Sequence, residues 1–130
     1  MRHQIQVRVY YEDTDFSGRV YHASHLRFME RGRTEWLRAK GLENKSLAND
    51  LGLVFAVRSL QIEYLSPAFM DDLITVTTRI ASLRGALIEF EQYLARGETA
   101  LSKAIVSVVT LKGERPVRPP RLLIDCDHKS

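Results

Sequence analysis

The stretch YYEDTDFSGRVYHASHLRFMER, residues 10–31, carries most of the information in this sequence. Its pattern predicts the end of a strand, an acidic turn, a glycine loop and the first turns of an amphipathic helix. This order places the carboxylate of Asp15 shortly before a helix N-terminus, where backbone N–H groups are unpaired and carry partial positive charge. A carboxylate beside such an anion-binding site suits acyl transfer, which needs a base or nucleophile and donors for an oxyanion.

A strand leads into this stretch and a long helix continues it. Apolar and polar residues alternate over residues 5–11, which is the period of a half-buried strand. The pattern becomes helical over residues 23–40, and Gly41 follows at a position where helices commonly end. The stripe of this helix that is predicted to face the interior contains Leu26, Met29, Arg33, Trp36 and Leu37.

Four strand-like runs follow the helix, and no second long helix separates them. They cover residues 53–65, 72–82, 86–96 and 99–111. Short turns join the last three runs, so these are predicted to pair antiparallel as a meander, and the last run, apolar on both faces, is predicted to lie inside the sheet. A change of parity near Arg58 predicts a bulge. Together these elements predict an α+β domain in which an antiparallel sheet of about five strands wraps around one long helix.

Size and composition indicate one globular domain. The 130 residues are 45% hydrophobic and 27% charged, and we expect a single domain over 1–130 with a core at about 5–111. Residues 113–130 are predicted to form a proline-rich tail whose apolar patch at 122–124 docks on the domain. The net charge of +3 comes from basic residues interleaved with acids, so a nucleic-acid partner is not expected.

The remaining composition excludes several classes of protein. One cysteine, Cys126, cannot form an intrachain disulfide, and four scattered histidines give no spacing for a metal site, so neither metal nor cofactor is expected. The N-terminal residues lack the apolar segment of a secretory signal, and no apolar run is long enough to span a membrane. A cytoplasmic location is therefore expected.

The segment VYYEDTDxxGxVYHASxxxFMERxRTEWLR, which begins at Val9, resembles the hotdog-fold acyl-CoA thioesterases of the 4-hydroxybenzoyl-CoA thioesterase type. Within that group the chain is most similar to the Tol–Pal-associated acyl-CoA thioesterases of Gram-negative bacteria. The resemblance covers residues 5–111 and includes the MDDLITV stretch and the SLRG turn at 82–85. It implies a hotdog homodimer or homotetramer that holds an acyl-CoA between subunits and hydrolyses its thioester bond.

The resemblance also implies roles for individual residues. Asp15, the second acid of the DTD motif, is the expected catalytic carboxylate, acting either as a general base on water or as a nucleophile. The backbone N–H at His22 is expected to polarise the thioester carbonyl, and the side chain of His22 is a further catalytic candidate. The expected substrate-binding residues are Gly18, Val20, Tyr21 and His25.

Other residues near the motif have simpler interpretations. Asp13 or Glu12 is interpreted as the residue that hydrogen-bonds the loop and positions the catalytic carboxylate, and Glu30 as an ion-pair partner of arginines on the helix. Ser17 lacks the G-x-S-x-G surroundings of a nucleophile elbow and is not a nucleophile candidate. Ser17, Arg19 and His25 depart from the usual family pattern. Arg19 and His25 are candidates to line the substrate site, so the acyl-chain preference of the family does not carry over to this chain.

Two other functions are compatible with these features. A hotdog hydratase or dehydratase would add or remove water at a double bond, although those enzymes carry a different acid–histidine motif on the helix. A non-catalytic adaptor would bind acyl-carrier protein or Tol–Pal components without cleaving a thioester. The intact DTDxxGxVYH motif favours the hydrolase, whose acyl donor is CoA or, alternatively, acyl-carrier protein.

Overall fold

The computed structural model of the chain describes residues 2–120, so the expected patch at 122–124 lies outside the described residues. The elements are β1 (His3–Arg8), a 3₁₀ turn (Tyr11–Asp13), α1 (His22–Ala39), α2 (Asn44–Ser46), a π-helical turn (Leu47–Leu51), β2 (Leu53–Tyr64), β3 (Leu73–Arg84), β4 (Leu87–Arg96), β5 (Thr99–Lys112) and β6 (Arg115–Pro116). The predicted helix and the four predicted strands after it are confirmed to within two residues at each end. The first strand, predicted to reach residue 11, ends instead at Arg8.

The early end of β1 has a local cause. The carboxylate of Asp13 accepts a hydrogen bond from the backbone N–H of Tyr10 at 2.9 Å, and the N–H of Asp13 donates to the carbonyl of Tyr10 at 3.0 Å. These two bonds bend the chain into the 3₁₀ turn. The turn captures the backbone donor that an extended strand would have offered to a neighbouring strand.

All strand pairs are antiparallel, and the five long strands lie in the order β1-β3-β4-β5-β2, with the short β6 paired to β5. The predicted meander is confirmed as β3-β4-β5, and β5 lies inside the sheet between β4 and β2 as predicted. The register of β2 shifts between Val57 and Ser59, where the change of parity predicted a bulge. In this strand order β2, the first strand after α1, forms one edge of the sheet.

Helix α1 packs on the sheet through a stripe of buried side chains. Phe28, Met29, Trp36 and Leu37 are buried, and the ring of Trp36 meets that of Phe90 edge-on at 5.1 Å between centroids. Burial of each such side chain stabilises the fold by roughly 1.5–3 kcal/mol. Leu26, predicted on this stripe, is only half-buried, and Phe28 takes the interior position that the sequence pattern did not assign.

Helix α1 lies close to the sheet at Gly32. A Cβ atom there would lie 2.7 Å from Cγ1 of Val76 and 2.8 Å from Oγ1 of Thr78. Beside this contact, the fully buried Gln92 donates to the carbonyl of Met29 and to Oγ1 of Thr78, both at 2.8 Å. Because the first of these hydrogen bonds joins the backbone of α1 to the sheet, it helps to fix the height of the helix above the sheet.

Candidate active site

The loop between the 3₁₀ turn and α1 is held in place by Asp13. Its side chain is 3% exposed and lies 3.4 Å from the guanidinium of Arg27, in addition to its bond to Tyr10. Its backbone carbonyl accepts the N–H of Tyr21 at 3.0 Å and the hydroxyl of Ser24 at 3.1 Å. Asp13 therefore ties the loop to the first turn of α1, in agreement with its interpretation as a positioning residue.

Asp15 and Gly18 shape the turn of this loop. The N–H of Asp15 donates to the carbonyl of Arg19 at 2.8 Å, and the N–H of Gly18 donates to the carbonyl of Asp15 at 3.1 Å. Gly18 has φ of 83°, a conformation that side chains with a Cβ rarely adopt. This tight turn directs the Asp15 side chain toward a surface cleft, which it lines.

The carboxylate of Asp15 is held as an anion. Its Oδ1 accepts the hydroxyl of Ser17 at 2.5 Å and the backbone N–H of Ser17 at 2.8 Å. These hydrogen bonds, the hydroxyl one first, lower the pKa of Asp15 below its usual value, and the nearby Arg19 adds to the effect. The group is therefore ionised at neutral pH and is a weak base.

The N-terminus of α1 presents backbone donors at the same cleft. Tyr21 occupies the N-cap position in an extended conformation and makes no side-chain cap hydrogen bond, while the N–H of Ser24 donates to the carbonyl of Tyr21 at 2.8 Å. Within the described residues no hydrogen bond uses the N–H of His22 or Ala23. An uncapped first turn offers these donors and the positive end of the helix dipole to an anion.

Three aromatic rings form one wall of the cleft. The hydroxyl of Tyr64, at the end of β2, donates to the backbone carbonyl of His22 at 3.0 Å. The ring of Tyr64 lies 4.6 Å from that of His22 and 4.9 Å from that of His25, measured between centroids. On the far side, Nδ1 of His25 is 2.9 Å from the hydroxyl of Ser102 on β5. This chain of contacts links α1 to β2 and β5.

Sequence reasoning missed Tyr64 and Ser102. Tyr64 continues the even-numbered apolar positions of β2, so its direction was available from the strand period. Ser102 stands opposite Tyr64 in the β2–β5 register, but that register joins residues far apart in the sequence. Ser102 is one of several polar residues of β5, which also include Lys103, Ser107 and Thr110, so its polarity by itself did not single it out or identify a partner.

His25 is held neutral by its surroundings. It is 3% exposed, and burial lowers its pKa from 6.5 to about 4, with the charge of His22 as the second cause. His25 therefore forms a neutral wall of the cleft beneath His22. His22 itself is exposed, and its ring faces the cleft.

The low pKa of His25 makes the stability of the fold depend on pH. The unfolded chain takes up a proton near pH 6.5, whereas the folded chain does so only near pH 4. We therefore expect His25 to reduce the free energy of unfolding as the pH falls through this window, by about 2 kcal/mol after allowance for the partly solvated cleft. Urea unfolding of the wild type and of His25→Gln across this range measures the effect.

The matched control for this prediction is His22→Gln, which removes an exposed histidine from the same cleft. His22→Gln should keep most of the pH slope of the wild type, because burial, the first cause of the low His25 pKa, is unchanged, whereas His25→Gln should flatten the slope whatever its absolute stability. Equal slopes for His25→Gln and the wild type would contradict the assignment of this titration to His25.

The cleft measures about 660 Å³ and contains every predicted site residue except Gly18, which contributes through the turn it allows. Its lining consists of Asp15, Ser17, Arg19, Val20, Tyr21, His22, His25, Tyr64, Leu65, Ser66 and Pro67. In the described part of the chain, no group of three or more His, Cys, Asp or Glu side chains could hold a metal ion. The groups available for chemistry are thus a carboxylate anion, a helix N-terminus and an imidazole.

Comparison with known proteins identifies the family. The sequence model of the Thioesterase-like superfamily matches residues 9–124. The acyl-CoA thioesterase YbgC of Haemophilus influenzae is 47% identical over 117 residues, which are 88% of this chain and 86% of the relative. The chain belongs to the thioesterase-like superfamily. Both findings confirm the resemblance to thioesterases that the segment beginning at Val9 indicated.

Solved structures of thioesterases share the architecture. A probable thioesterase from Bartonella henselae superposes with a TM-score of 0.89 at 45% identity, covering 92% of this chain and all of the other. The 4-hydroxybenzoyl-CoA thioesterase from Pseudomonas sp. strain CBS-3 gives a TM-score of 0.89 at 20% identity, covering 95% of this chain and 97% of the other. This superfamily member therefore has the predicted hotdog fold. Within the described residues, no helix is both long and apolar enough to cross a bilayer.

Proposed function

We propose that this cleft hydrolyses the thioester bond of an acyl-CoA, releasing a free carboxylic acid and CoA. The observation that carries the proposal is the placement of the Asp15 carboxylate and the uncapped N-terminus of α1 on the same cleft. A carboxylate anion supplies the attacking group or its base, and the N–H groups stabilise the oxyanion that develops on the carbonyl. The name of the Haemophilus influenzae relative, an acyl-CoA thioesterase, supports the same reaction.

The carbonyl oxygen of the thioester binds at the N–H of His22. As the carbonyl carbon becomes tetrahedral, negative charge grows on this oxygen beside the positive end of α1. Loss of one such donor typically costs around 3 kcal/mol, or a hundredfold or more in rate. Because the donor is a backbone group, this role does not depend on the imidazole of His22, which lies at the cleft where it can orient water or protonate the leaving thiolate.

Asp15 has two possible roles, and the first is direct attack. In that route a carboxylate oxygen bonds to the carbonyl carbon, the C–S bond breaks, and CoA leaves as a thiolate that is then protonated. Water hydrolyses the resulting anhydride and restores the carboxylate. In the other route Asp15 removes a proton from the attacking water. The hydrogen bonds from Ser17 lower the basicity of Asp15 and so weaken it in both roles while keeping it ionised, and the two routes stay alternatives.

The test is the release of thiol from a panel of acyl-CoAs, from acetyl to palmitoyl with one aromatic ester. Turnover of saturated esters supports the hydrolase, whereas hydration of an enoyl-CoA without thiol release would indicate a hydratase. If the folded protein releases no thiol from any CoA ester, acyl-carrier-protein thioesters are the next substrates. Binding of carrier protein or Tol–Pal components without cleavage would overturn the hydrolase in favour of an adaptor.

We propose that the protein acts in the cytoplasm.

The edge strand β2 points to assembly with a second copy of the chain. Among the described residues β2 pairs on one side only, with β5, although it is 12 residues long. It exposes apolar side chains, with Val57 53% and Val54 45% exposed. Proteins seldom leave so long an apolar edge unpaired, and antiparallel pairing of two β2 strands about a two-fold axis would cover both edges. The partner would then lie beside Tyr64 and complete the cleft, in a homodimer or in a dimer of such dimers.

We expect Val57→Lys to convert the dimer to a monomer, because a charged side chain in the middle of the edge opposes pairing of two β2 strands. Sedimentation velocity at several protein concentrations measures the change. Leu73→Lys is the control, since Leu73 is an exposed apolar residue on β3, which pairs on both sides. A wild-type monomer, or a Val57→Lys dimer as stable as the wild type, would contradict pairing through β2.

A further inference from the structure

Arg19 places a guanidinium at the cleft, where it forms no ion pair with the described residues. Its side chain is exposed, and Arg19 lines the same cleft as Asp15. None of the ion pairs within the described part of the chain includes Arg19. The guanidinium carbon instead lies 6.0 Å from the centroid of the Phe69 ring, at the limit of a cation–π contact.

Phe69 is a rigid support for this guanidinium. Arg19 and Phe69 pair through their backbones as an isolated β-bridge, so the two residues are fixed side by side. The N–H of Phe69 donates to the carboxylate of Asp72 at 2.9 Å, and the N–H of Asp72 donates to the carbonyl of Phe69 at 3.1 Å. The backbone of Phe69 is therefore held by two hydrogen bonds with Asp72, one to its carboxylate and one from its N–H.

Arg96 contacts the same Phe69 ring but, unlike Arg19, forms an ion pair. The guanidinium carbon of Arg96 lies 5.9 Å from the centroid of Phe69, and its Nη1 forms an ion pair with Asp72 at 2.7 Å. The charge of Arg96 is thereby neutralised within the loop. Arg19 forms no such ion pair among the described residues: its charge acts on the nearby Asp15 carboxylate, whose pKa it helps to lower, and it borders the cleft where a ligand would bind.

A guanidinium stacked on an aromatic ring keeps its N–H edge available for hydrogen bonds. That planar fork matches the two oxygens of a carboxylate or a phosphate, and stacking reduces the side-chain freedom lost on binding. The carboxylate of Asp15, which is within electrostatic range of Arg19, is already hydrogen-bonded to Ser17. The free edge of Arg19 is therefore suited to an anionic group supplied by a ligand.

We propose that Arg19 is a specificity-determining residue that binds an anionic oxygen group of the substrate, separate from the thioester. This inference rests on the proposed function and deepens it. The group is either a carboxylate at the far end of the acyl chain or a phosphate of the CoA carrier, which share the same recognition chemistry. The two sources differ in which substrates lose affinity when the charge of Arg19 is removed.

The experiment compares wild type and Arg19→Gln on three esters of four-carbon acyl groups. These are butyryl-CoA, succinyl-CoA, which adds a carboxylate, and butyryl-pantetheine, which lacks the phosphates. A charge-assisted hydrogen bond of typical strength corresponds to a loss of about 10- to 100-fold in kcat/KM, expressed mainly in KM. A loss of kcat/KM for succinyl-CoA alone identifies a carboxylate of the acyl group as the partner of Arg19. An equal loss of kcat/KM for both CoA esters, but not for the pantetheine ester, identifies a phosphate of CoA.

Arg31→Gln is the matched control. Arg31 is also exposed, and its guanidinium carbon lies 5.7 Å from the centroid of the Phe28 ring, but it does not line the cleft. Its loss should leave kcat/KM for all three esters within about twofold of the wild type. The inference is overturned if Arg19→Gln changes the three esters equally or no more than Arg31→Gln does.

Equilibrium binding separates this inference from the proposed hydrolysis. The dissociation constants of the three esters are measured for Asp15→Asn and for Asp15→Asn combined with Arg19→Gln. If the wild type cleaves no ester, the proposed hydrolysis fails, while the same selective loss of affinity still supports an anion site at Arg19. If hydrolysis proceeds and the affinities do not change, the anion site is overturned alone.

Discussion

Asp15→Asn should reduce the turnover of every acyl-CoA that the wild type cleaves, by on the order of 10²–10⁴-fold or more. The amide has nearly the shape of the carboxylate, and its oxygen can still accept the N–H of Ser17, which closes the loop at 2.8 Å in the wild type. It carries no charge, so it neither attacks the carbonyl carbon nor takes a proton from water. Thiol release measured beside the wild type, with sedimentation and thermal unfolding to verify the fold, tests this expectation.

Ser17→Ala is the matched control for the loss of Asp15. It removes the hydroxyl hydrogen bond that contributes most to the low pKa of Asp15 but keeps the carboxylate. We expect this variant to retain most of its activity and to lose it at a higher pH on the acid side, because the Asp15 pKa rises. Full activity of Asp15→Asn in enzyme free of wild-type contamination would exclude Asp15 from the chemistry.

A single turnover in water enriched in heavy oxygen separates the two roles of Asp15. Nucleophilic attack creates an anhydride, and water that attacks its aspartyl carbon leaves heavy oxygen in the side chain. A general base never becomes covalently bound to the acyl group, so its oxygens stay unlabelled. Heavy oxygen in the peptide that contains Asp15, measured by mass spectrometry, therefore establishes the nucleophilic route, whereas an unlabelled side chain fits either a general base or attack of water at the acyl carbon of the anhydride.

Gly32→Ala should destabilise the fold by about 2–3 kcal/mol, although alanine is the better helix former. The added Cβ would meet Val76 at 2.7 Å, Thr78 at 2.8 Å and Gln92 at 3.0 Å. Displacing these neighbours costs free energy, because Thr78 and Gln92 are fully buried and hydrogen-bonded to each other. Urea unfolding measures the loss, and Arg31→Ala, an exposed neighbour on the same helix, should change stability by less than about 0.5 kcal/mol.

A double-mutant cycle tests the cause of this loss. The nearest atom to the new methyl group is Cγ1 of Val76, so Val76→Ala removes the collision while leaving a small cavity of its own. In the double variant Gly32→Ala with Val76→Ala, each change should cost less than it does alone, giving a coupling of at least about 1 kcal/mol. Additive costs would show that the backbone at Gly32 matters for another reason.

Much of the fold could be predicted because its signals are local. The change from a strand period to a helical period located α1 to within one residue at each end, and the parity change in β2 located the bulge after Val57. The loop that holds Asp15 was equally accessible, since its motif spans a few residues and its bonds join near neighbours such as Ser17 and Arg19. Gly32 was a further local signal, because a glycine inside a helical pattern often marks a close contact. The prediction from the sequence did not include this contact.

By itself the sequence determined the order of the elements and the carboxylate loop before α1, because periodicity and turn chemistry depend on residues that are close along the chain. The hotdog thioesterase family came instead from the resemblance of the segment that begins at Val9 to known thioesterases. Only the tertiary structure decided which distant groups meet. It placed Tyr64 against His22, Ser102 against His25 and Gln92 beneath Gly32, over separations of 42 residues or more. Such pairings follow from strand register and helix height, which are set by packing of the whole core and not by any local pattern.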